Sequence, residues 1–235
     1  MAKPADLEPS KSSGLLLVDK PAGVTSHDVV VRARRAYHER SIGHLGTLDP
    51  FATGLLILLL GRATRLATFI ITEPKTYEAT IRFGTETDTD DLTGAVTREA
   101  PPPSLESISS AVRSLTGTIV QVPPAYSAKS VDGTRAYAAA RRGAAIALAP
   151  VSVNVEEWKL GDFDGRDLDV TIVCGGGTYI RALARDLGRE TGSAAHLASL
   201  RRISAGPFDV RDATTLDALA ESPPPLRHVR VVADD

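Results

Sequence analysis

The sequence predicts an α/β protein of the α+β type, with a mixed, largely antiparallel central sheet flanked by helices. Strand-like and helix-like segments are mixed without a regular strand–helix–strand rhythm, which disfavours a doubly wound parallel fold. The segment KTYEATIRF alternates apolar and polar residues, as a half-buried strand does. The apolar run LLILLL predicts a buried strand and is too short to cross a bilayer.

The N-terminal part of the chain predicts a tail, a strand and a helix. Residues 1–13 are polar and proline-bearing, which favours a flexible tail, and GLLLVDKPAG then predicts a short strand that ends in a turn. A helix is predicted from Ser26, with Ser26 as its N-cap and Val29, Val30 and Ala33 on its buried face. The other face and the residues just beyond it carry Arg32, Arg34, Arg35 and Arg40.

The middle of the chain predicts a second helix and an excursion from the sheet. The helix has Ser104 as N-cap, Leu105 on its apolar face and Gly117 as its stop. A turn-rich, basic stretch at about 122–150 follows and predicts a short helix that ends at Gly143. Two further strands, a glycine loop with a helix, and a last strand and short helix complete the chain.

Composition limits the classes of protein that this chain can be. It has 235 residues and a net charge of −2, so any nucleic-acid binding requires a local basic surface. The single cysteine, Cys174, excludes a disulfide framework and a cysteine-based zinc site within the chain. The N-terminus has no apolar signal core, and we expect a cytoplasmic protein.

One loop, GHLGTLDPFATG, holds a histidine and a carboxylate. Pro50 favours an extended backbone at Asp49, and Gly54 permits the close approach of another segment. On local chemistry alone Asp49 is either an Asp-Pro turn residue, which is the commoner case, or a restrained catalytic carboxylate. His44 is equally open between an ordinary loop residue and a functional one.

The segment CGGGTYIR resembles an anion site, because a glycine loop precedes a helix whose predicted N-cap is Thr178. It lacks the P-loop and dinucleotide fingerprints. Arg181 falls in the first helical turn, where the helix dipole disfavours a cation, so a carboxylate partner is one hypothesis and a solvated arginine the other. The acidic segment DTDDLTG fails the calcium-loop pattern and is predicted to be solvated or to cap an arginine.

Clusters of arginine and tyrosine suit RNA, because guanidinium groups neutralise phosphates and aromatic rings stack on unpaired bases. Ordinary solvated helix faces are the alternative interpretation. The arginines of these clusters are Arg32, Arg34, Arg35, Arg40, Arg141, Arg142, Arg181, Arg185, Arg189, Arg201 and Arg202.

Six segments, in order, resemble the TruB family of tRNA pseudouridine synthases. They are GLLLVDKPAGVTSHDVV, GHLGTLDPFATGLL, KTYEATIRFGTETDTDDLTG, VPPAYSAKSVDGTRAYAAARRG, GGGTYIRALARDLG and LASLRRISAGPF. The resemblance covers about residues 14–218 and implies a catalytic domain with the pseudouridine synthase fold and an RNA-gripping insertion at about 122–150. Family members often continue into a PUA-like domain, whereas residues 219–235 are expected to be a C-terminal tail without a full PUA-like domain.

The resemblance also implies an activity and its residues. Family members convert uridine 55 in the T loop of tRNA to pseudouridine without a metal or organic cofactor. Asp49 matches the nucleophilic aspartate, Tyr77 the tyrosine packed on the target base, and Arg181 the arginine that pairs with the aspartate. The positions matching substrate-contacting residues are His44, Tyr179 and Leu200. The arginines expected to contact the RNA backbone are Arg141, Arg142, Arg201 and Arg202.

Two positions depart from the family pattern, and two other functions are left open. Leu45 stands where the family usually has threonine, and Gly176 replaces a common lysine, so weaker or redistributed RNA contacts are expected. The expected partner is the T arm of tRNA, with no membrane, guide RNA or obligate protein partner. The alternatives are a tRNA-folding chaperone with a vestigial synthase site, and a guide-RNA-dependent relative like dyskerin.

Overall fold

The computed structural model describes most of the chain and confirms the predicted fold class. The described residues are 13–126, 130–131, 134–135 and 148–228. They form a mixed α+β protein with a large, mostly antiparallel sheet and helices. The predicted insertion helix, Arg141 and Arg142 lie outside the described residues.

The elements are numbered in chain order. The strands are β1 (Gly14–Lys20), β2 (Ile42–Leu45), β3 (Thr53–Leu60), β4 (Lys75–Phe83), β5 (Thr85–Thr87), β6 (Val96–Glu99), β7 (Gly117–Gln121), β8 (Ser130–Val131), β9 (Thr134–Arg135), β10 (Val151–Phe163), β11 (Asp167–Cys174), β12 (Ala195–Ala205), β13 (Phe208–Asp209) and β14 (Thr214–Thr215). The α-helices are α1 (Ser26–Tyr37), α2 (Leu105–Ser114), α3 (Ile180–Glu190) and α4 (Leu216–Glu221), and the 3-10 helices are Gly61–Leu66 and Val210–Asp212.

The chain folds as two compact units. The first comprises Met1–Thr72 and Arg202–Asp235, and the second comprises Glu73–Arg201. In the first unit β1 and β2 both pair antiparallel with β3, and β14 pairs parallel with β1. In the second unit β4, β11, β10 and β7 form a continuous antiparallel series.

Strand β3 is buried on both faces, which explains its unbroken apolar sequence. Leu56, Leu58 and Leu60 pack in a cluster with apolar residues of α1 and α4. Leu55, Ile57 and Leu59 pack in a second cluster with alternate residues of β1 and with Ala63. Because neighbouring side chains of a strand point to opposite faces, a strand covered on both sides needs no polar alternation.

Helix α1 begins where the sequence predicts, but its N-cap is Thr25 rather than Ser26. The Thr25 side chain accepts from the Asp28 backbone N–H, and the Asp28 carboxylate accepts from the Thr25 backbone N–H, which completes a capping box. Ser26 is the first residue of the helix and is buried. Val29, Val30 and Ala33 form the buried face, as predicted.

The strand and the helix predicted for the second unit are both present, as β4 and α2. Tyr77, Ala79, Ile81 and Phe83 are buried along β4, and the intervening residues are more exposed. Ser104 caps α2 through the Ser107 N–H, as predicted. Leu105 is 50% exposed instead of buried, because it precedes the turn of α2 that packs into the core.

Candidate active site

The predicted site residues are divided between the two units. His44 and Asp49 belong to the first unit, whereas Tyr77, Tyr179, Arg181 and Leu200 belong to the second.

In the first unit, Asp49 lies in the loop that connects β2 to β3. The loop backbone turns back on itself where the Ala52 N–H donates to the Asp49 carbonyl over 3.1 Å. Asp49 is half-buried, and Leu48 and Ala52 on either side of it are buried. A buried side chain on each side holds the carboxylate in a restrained segment, as Pro50 and the following strand predict.

Hydrogen bonds from two preceding elements anchor this loop on both sides of Asp49. The Ser26 hydroxyl accepts from the Leu48 N–H over 3.0 Å and donates to the Leu48 carbonyl over 3.1 Å. After Asp49, the Pro50 carbonyl accepts from the Gly23 N–H over 2.8 Å and from Lys20 Nζ over 3.3 Å. The backbone next to Asp49 is therefore fixed by α1 on one side and by the end of β1 on the other.

Arg202 provides a third anchor, from the end of β12. Its side chain is buried, and it donates through Nε to the Leu55 carbonyl over 2.7 Å and through Nη2 to the Gly46 carbonyl over 2.9 Å. A Cβ at Gly54 would lie 2.3 Å from the Arg202 carbonyl oxygen, so only glycine permits this approach. Arg202 therefore holds the loop instead of presenting its guanidinium to solvent, although the arginine clusters predict that it contacts the RNA backbone.

A buried lysine supplies positive charge near Asp49. Lys20 is fully buried at the end of β1, and Nζ also donates to the Val24 carbonyl over 2.8 Å. Burial lowers the pKa of Lys20 to about 8, although the charge of Asp49 acts to raise it. The positive charge of Lys20 and the negative charge of Asp49 therefore attract each other.

His44 lies in β2 with one ring nitrogen enclosed. Its Nδ1 is buried, and the described residues offer it no hydrogen-bond partner. Burial first, and then the positive charge of Arg202, lower the pKa of His44 below its ordinary value. His44 is therefore a neutral imidazole at neutral pH, with a polar atom free for a further partner.

In the second unit, Tyr77 and Tyr179 are held by different means. Tyr77 lies in β4 opposite Ile172 of β11, and it is buried. Tyr179 is the N-cap of α3 but makes no side-chain cap bond. Its backbone is held instead by the buried Gln121, which accepts from the Tyr179 N–H over 2.9 Å and donates to the Tyr179 carbonyl over 3.1 Å. The predicted N-cap Thr178 is wrong, because its hydroxyl donates to the Gly175 carbonyl.

Arg181 is buried in the first turn of α3, where the sequence left a carboxylate partner and solvation as alternatives. Its Nη1 lies 3.6 Å from an Asp91 oxygen and donates to the Thr89 carbonyl over 2.8 Å. Its Nη2 donates to the Tyr126 carbonyl over 2.9 Å. A carboxylate and backbone carbonyls thus compensate a cation that the helix dipole disfavours.

Further acid–arginine pairs extend along α3. Arg185 donates to Asp90 over 2.8 Å, and both side chains are buried. Burial raises the pKa of Asp90 to about 6, although the charge of Arg185 acts to lower it. One turn later, Arg189 pairs with Glu86. We call these residues the α3 network: Glu86, Asp90, Asp91, Arg181, Arg185 and Arg189.

Comparison with known proteins shows the family of the chain. Residues 34–180 match the family model of the N-terminal domain of TruB family pseudouridylate synthases. Residues 181–224 match the model of the C-terminal domain of tRNA pseudouridylate synthase B. The chain belongs to the TruB family.

Curated relatives of the chain carry one name. It is 50% identical over 216 residues to tRNA pseudouridine synthase B of Leifsonia xyli, covering 88% of this chain and 72% of that protein. It is 47% identical over 219 residues to tRNA pseudouridine synthase B of Thermobifida fusca, covering 89% of this chain and 75% of that protein.

Solved structures share the fold at lower identity. A chain of a Cbf5–Nop10–Gar1 complex matches with a TM-score of 0.68 and 28% identity, over 88% of this chain and 54% of that one. A chain of an H/ACA RNP bound to a substrate RNA containing 2'-deoxyuridine matches with a TM-score of 0.67 and 26% identity, over 88% of this chain and 52% of that one. The chain therefore spans about half the length of these solved chains.

Several residues that hold the candidate site residues in place were not predicted as such from the sequence. Lys20 was part of a strand, and only its place directly before a proline turn distinguished it from a surface lysine. Gln121 and Asp90 act on residues 58 and 95 positions away, so no local pattern could pair them. Arg202 falls two residues after the buried Leu200 in β12, and strand periodicity could have indicated that both are buried.

Two features were not found among the described residues. They contain no helix long and apolar enough to cross a membrane. No group of three or more histidine, cysteine, aspartate or glutamate side chains among them could hold a metal ion.

Leu200 is buried and Arg201 is half-buried at the end of the second unit.

Proposed function

We propose that the protein is a tRNA pseudouridine synthase that isomerises uridine 55 of the T loop. The observation that carries this proposal is the anchored Asp49 loop within a chain whose family models match residues 34–224. The curated relatives named tRNA pseudouridine synthase B support tRNA as the substrate. We take residues 14–218 as the catalytic domain and the cytoplasm as its location.

The reaction exchanges one glycosidic bond for another. The bond between N1 of the base and C1' of the ribose breaks, the base turns, and C5 bonds to C1'. C5 loses a proton and N1 gains one, so the product is an isomer of the substrate. The base must leave the stack before protein side chains can reach it, and base flipping is therefore part of the proposal.

Asp49 is the proposed nucleophile, attacking either the base or the sugar. Its loop is held by Ser26, Lys20 and Arg202, which limits the rearrangement needed when the carboxylate reacts. The charge of Lys20 stabilises the anion that attack requires. The resemblance gives Arg181 as its ion-pair partner.

The remaining site residues are proposed to bind the flipped nucleotide. Tyr77 packs on the base or takes part in proton transfer. His44 fills the space that the nucleotide vacates, and its neutral ring with an unpartnered Nδ1 suits a contact with RNA. Tyr179 and Leu200 contact the substrate. Arg141, Arg142 and Arg201 contact the RNA backbone.

The test is Asp49→Asn, assayed on unmodified tRNA with pseudouridine mapped position by position. The variant keeps the size of the side chain but removes the nucleophilic charge, so pseudouridine formation should be abolished while tRNA still binds. Asp162→Asn is the matched control, because Asp162 is an exposed aspartate of β10. Full activity of Asp49→Asn would overturn the assignment, and wild-type product only at another uridine would overturn the choice of position 55.

A guide-RNA-dependent enzyme is the second candidate function, because one solved chain of similar fold is part of an H/ACA RNP. A stand-alone enzyme should modify an isolated T-arm stem-loop without any other RNA. Activity that appears only after a guide RNA is added would favour the guide-dependent class.

A further inference from the structure

The exposed side of α1 and the residues that follow it form a cationic surface. Val29, Val30 and Ala33 face the core, and the opposite side is exposed to solvent. We call the exposed cationic and titratable residues of this side and of the next three positions the α1 face: Arg32, Arg35, His38 and Arg40. The face is thus part of a well-packed helix whose position is fixed by its apolar side.

Among the described residues, no carboxylate forms a salt bridge with an arginine of the α1 face, although the charge of Asp28 attracts Arg32. Nearby carboxylates are engaged elsewhere: Asp28 accepts from the backbone N–H and the hydroxyl of Thr25, and the buried Glu39 accepts from the Ser41 N–H. Arg34, which flanks the face, donates to the Ile42 carbonyl. The cations of the face are therefore in excess of the carboxylate charge that acts on them.

Repulsion among these like charges destabilises the folded protein unless an anion binds to the surface. Like charges one helical turn apart repel each other, and overall solubility does not require a local positive cluster in a chain of net charge −2. Arginine is the side chain that best matches phosphate, because its planar guanidinium donates two parallel hydrogen bonds. A polyanion with regularly spaced phosphates fits the row of cations better than a single small anion.

The N-terminus of α1, the helix that carries the α1 face, is bound to the Asp49 loop. Ser26, the first residue of α1, holds Leu48 next to Asp49 by two hydrogen bonds. The charge of His27 acts on His44 of the same unit. The 12 residues of α1 extend over about 18 Å, and the α1 face begins at Arg32, in the second half of the helix. A nucleic acid whose nucleotide reacts at Asp49 therefore has α1 beside it.

We propose that the α1 face is a docking surface for the phosphate backbone of RNA next to the modified nucleotide. This inference rests on the proposed function, since it takes the reacting RNA as the anion that covers the face. It adds a surface outside the basic insertion and outside the arginines expected from the resemblance. The guanidinium groups of Arg32 and Arg35 carry most of the contact, and His38 and Arg40 extend it.

The test is the double variant Arg32→Glu/Arg35→Glu, with its Kd for unmodified tRNA measured at several salt concentrations. Each lost phosphate contact reduces the dependence of log K on log salt by about 0.7 to 0.9, so the slope should fall by about 1 to 2. Affinity near 100 mM salt should fall at least about tenfold. The neutral pair Arg32→Gln/Arg35→Gln should lose about half as much affinity.

The matched control is Arg113→Glu/Arg166→Glu, because both arginines are exposed and lie away from α1 in the chain. It should keep a Kd within about twofold of the wild type and an unchanged salt slope, which separates a specific surface from a general loss of positive charge. An unchanged thermal midpoint of the α1 variants excludes loss of folding. Equal losses in the α1 and control variants, or equal Kd values in the α1 variants and wild type, would overturn the proposal.

Because the measurement is binding and not turnover, its outcome is independent of the Asp49→Asn assay. Loss of tRNA affinity in the α1 variants together with full activity of Asp49→Asn would retain the surface and reject the proposed nucleophile. The opposite pair of results would retain the nucleophile and reject the surface.

Discussion

The α1 face and the α3 network use arginine in opposite ways. On the α1 face the arginines are exposed, and among the described residues none of them forms a salt bridge with a carboxylate. In the α3 network Arg181 and Arg185 are buried and paired with Asp91 and Asp90. An exposed, unbalanced guanidinium is available to a ligand, whereas a buried, paired one fixes the position of the backbone around it. The number of arginines in a chain therefore says little about its affinity for RNA.

The largest expected effect comes from breaking the α3 network at Asp90. Asp90→Ala leaves the buried Arg185 with only the Val122 carbonyl and Asp186 as partners. Removing one member of a buried ion pair should lower the free energy of unfolding by about 3 kcal/mol. Urea denaturation at pH 7 measures this loss.

The double variant Asp90→Ala/Arg185→Leu is the control for that measurement, because alanine then occupies the positive-φ backbone of Asp90 in both variants. It removes both charges, so it should be clearly more stable than Asp90→Ala. A loss of less than about 0.5 kcal/mol in the single variant, as for an ordinary surface substitution, would mean that the network does not stabilise the second unit.

A smaller, pH-dependent effect is expected from the buried cation of the first unit, Lys20. Burial lowers the pKa of Lys20 from 10.5 to about 8 in the folded protein, so between these pH values the unfolded chain binds more protons than the folded one. The stability of the wild type relative to Lys20→Met should therefore rise as the pH increases from 8 towards 10. Below pH 8 the difference should be nearly constant.

Urea denaturation of both proteins across pH 7 to about 10 makes this comparison, and the difference cancels groups that both proteins share. Lys159→Met is the matched control, because it removes the same charge from an exposed position in β10. A flat difference for Lys20→Met would contradict the lowered pKa.

The smallest effect is expected from adding an outward cation to the second unit at Gly176. A Cβ there would lie against the Glu73 carboxylate, but Glu73 is exposed and can move aside. Gly176→Lys should change the free energy of unfolding by less than about 1 kcal/mol. Its tRNA affinity should rise about two- to threefold through an added phosphate contact. Gly176→Gln tests this cause, since equal affinities of the two variants would exclude a charge effect.

Local sequence patterns predicted the elements of the fold better than their ends. The alternation of β4 and the apolar run of β3 directly reflect which faces of each strand are buried, so the local sequence is enough to predict both strands. The cap of α1 was misplaced by one residue because Thr25 and Ser26 are both good N-caps, although the spacing of Thr25 and Asp28 matches a capping box. The N-terminus of α3 was beyond local prediction because a distant glutamine binds it.

The ion pairs of the candidate site could likewise be predicted only in part from local sequence. The odd position of Arg181 correctly suggested a carboxylate partner, and the acidic loop was among the segments considered as a cap for an arginine. Which acid meets which arginine depends on the tertiary fold, because Asp90 and Arg185 are 95 residues apart in the chain. The roles of Asp49, Tyr77 and Arg181 in catalysis remain predictions that the Asp49→Asn assay begins to test.

Cys174 has a practical consequence for studying the proposed RNA contacts by spectroscopy. It is the single cysteine of the chain and is 1% exposed. Burial raises the pKa of its thiol to about 11, so almost no reactive thiolate is present at neutral pH. A cysteine introduced on a solvent-facing position would therefore accept a maleimide fluorophore selectively in the native protein, without first removing the natural thiol.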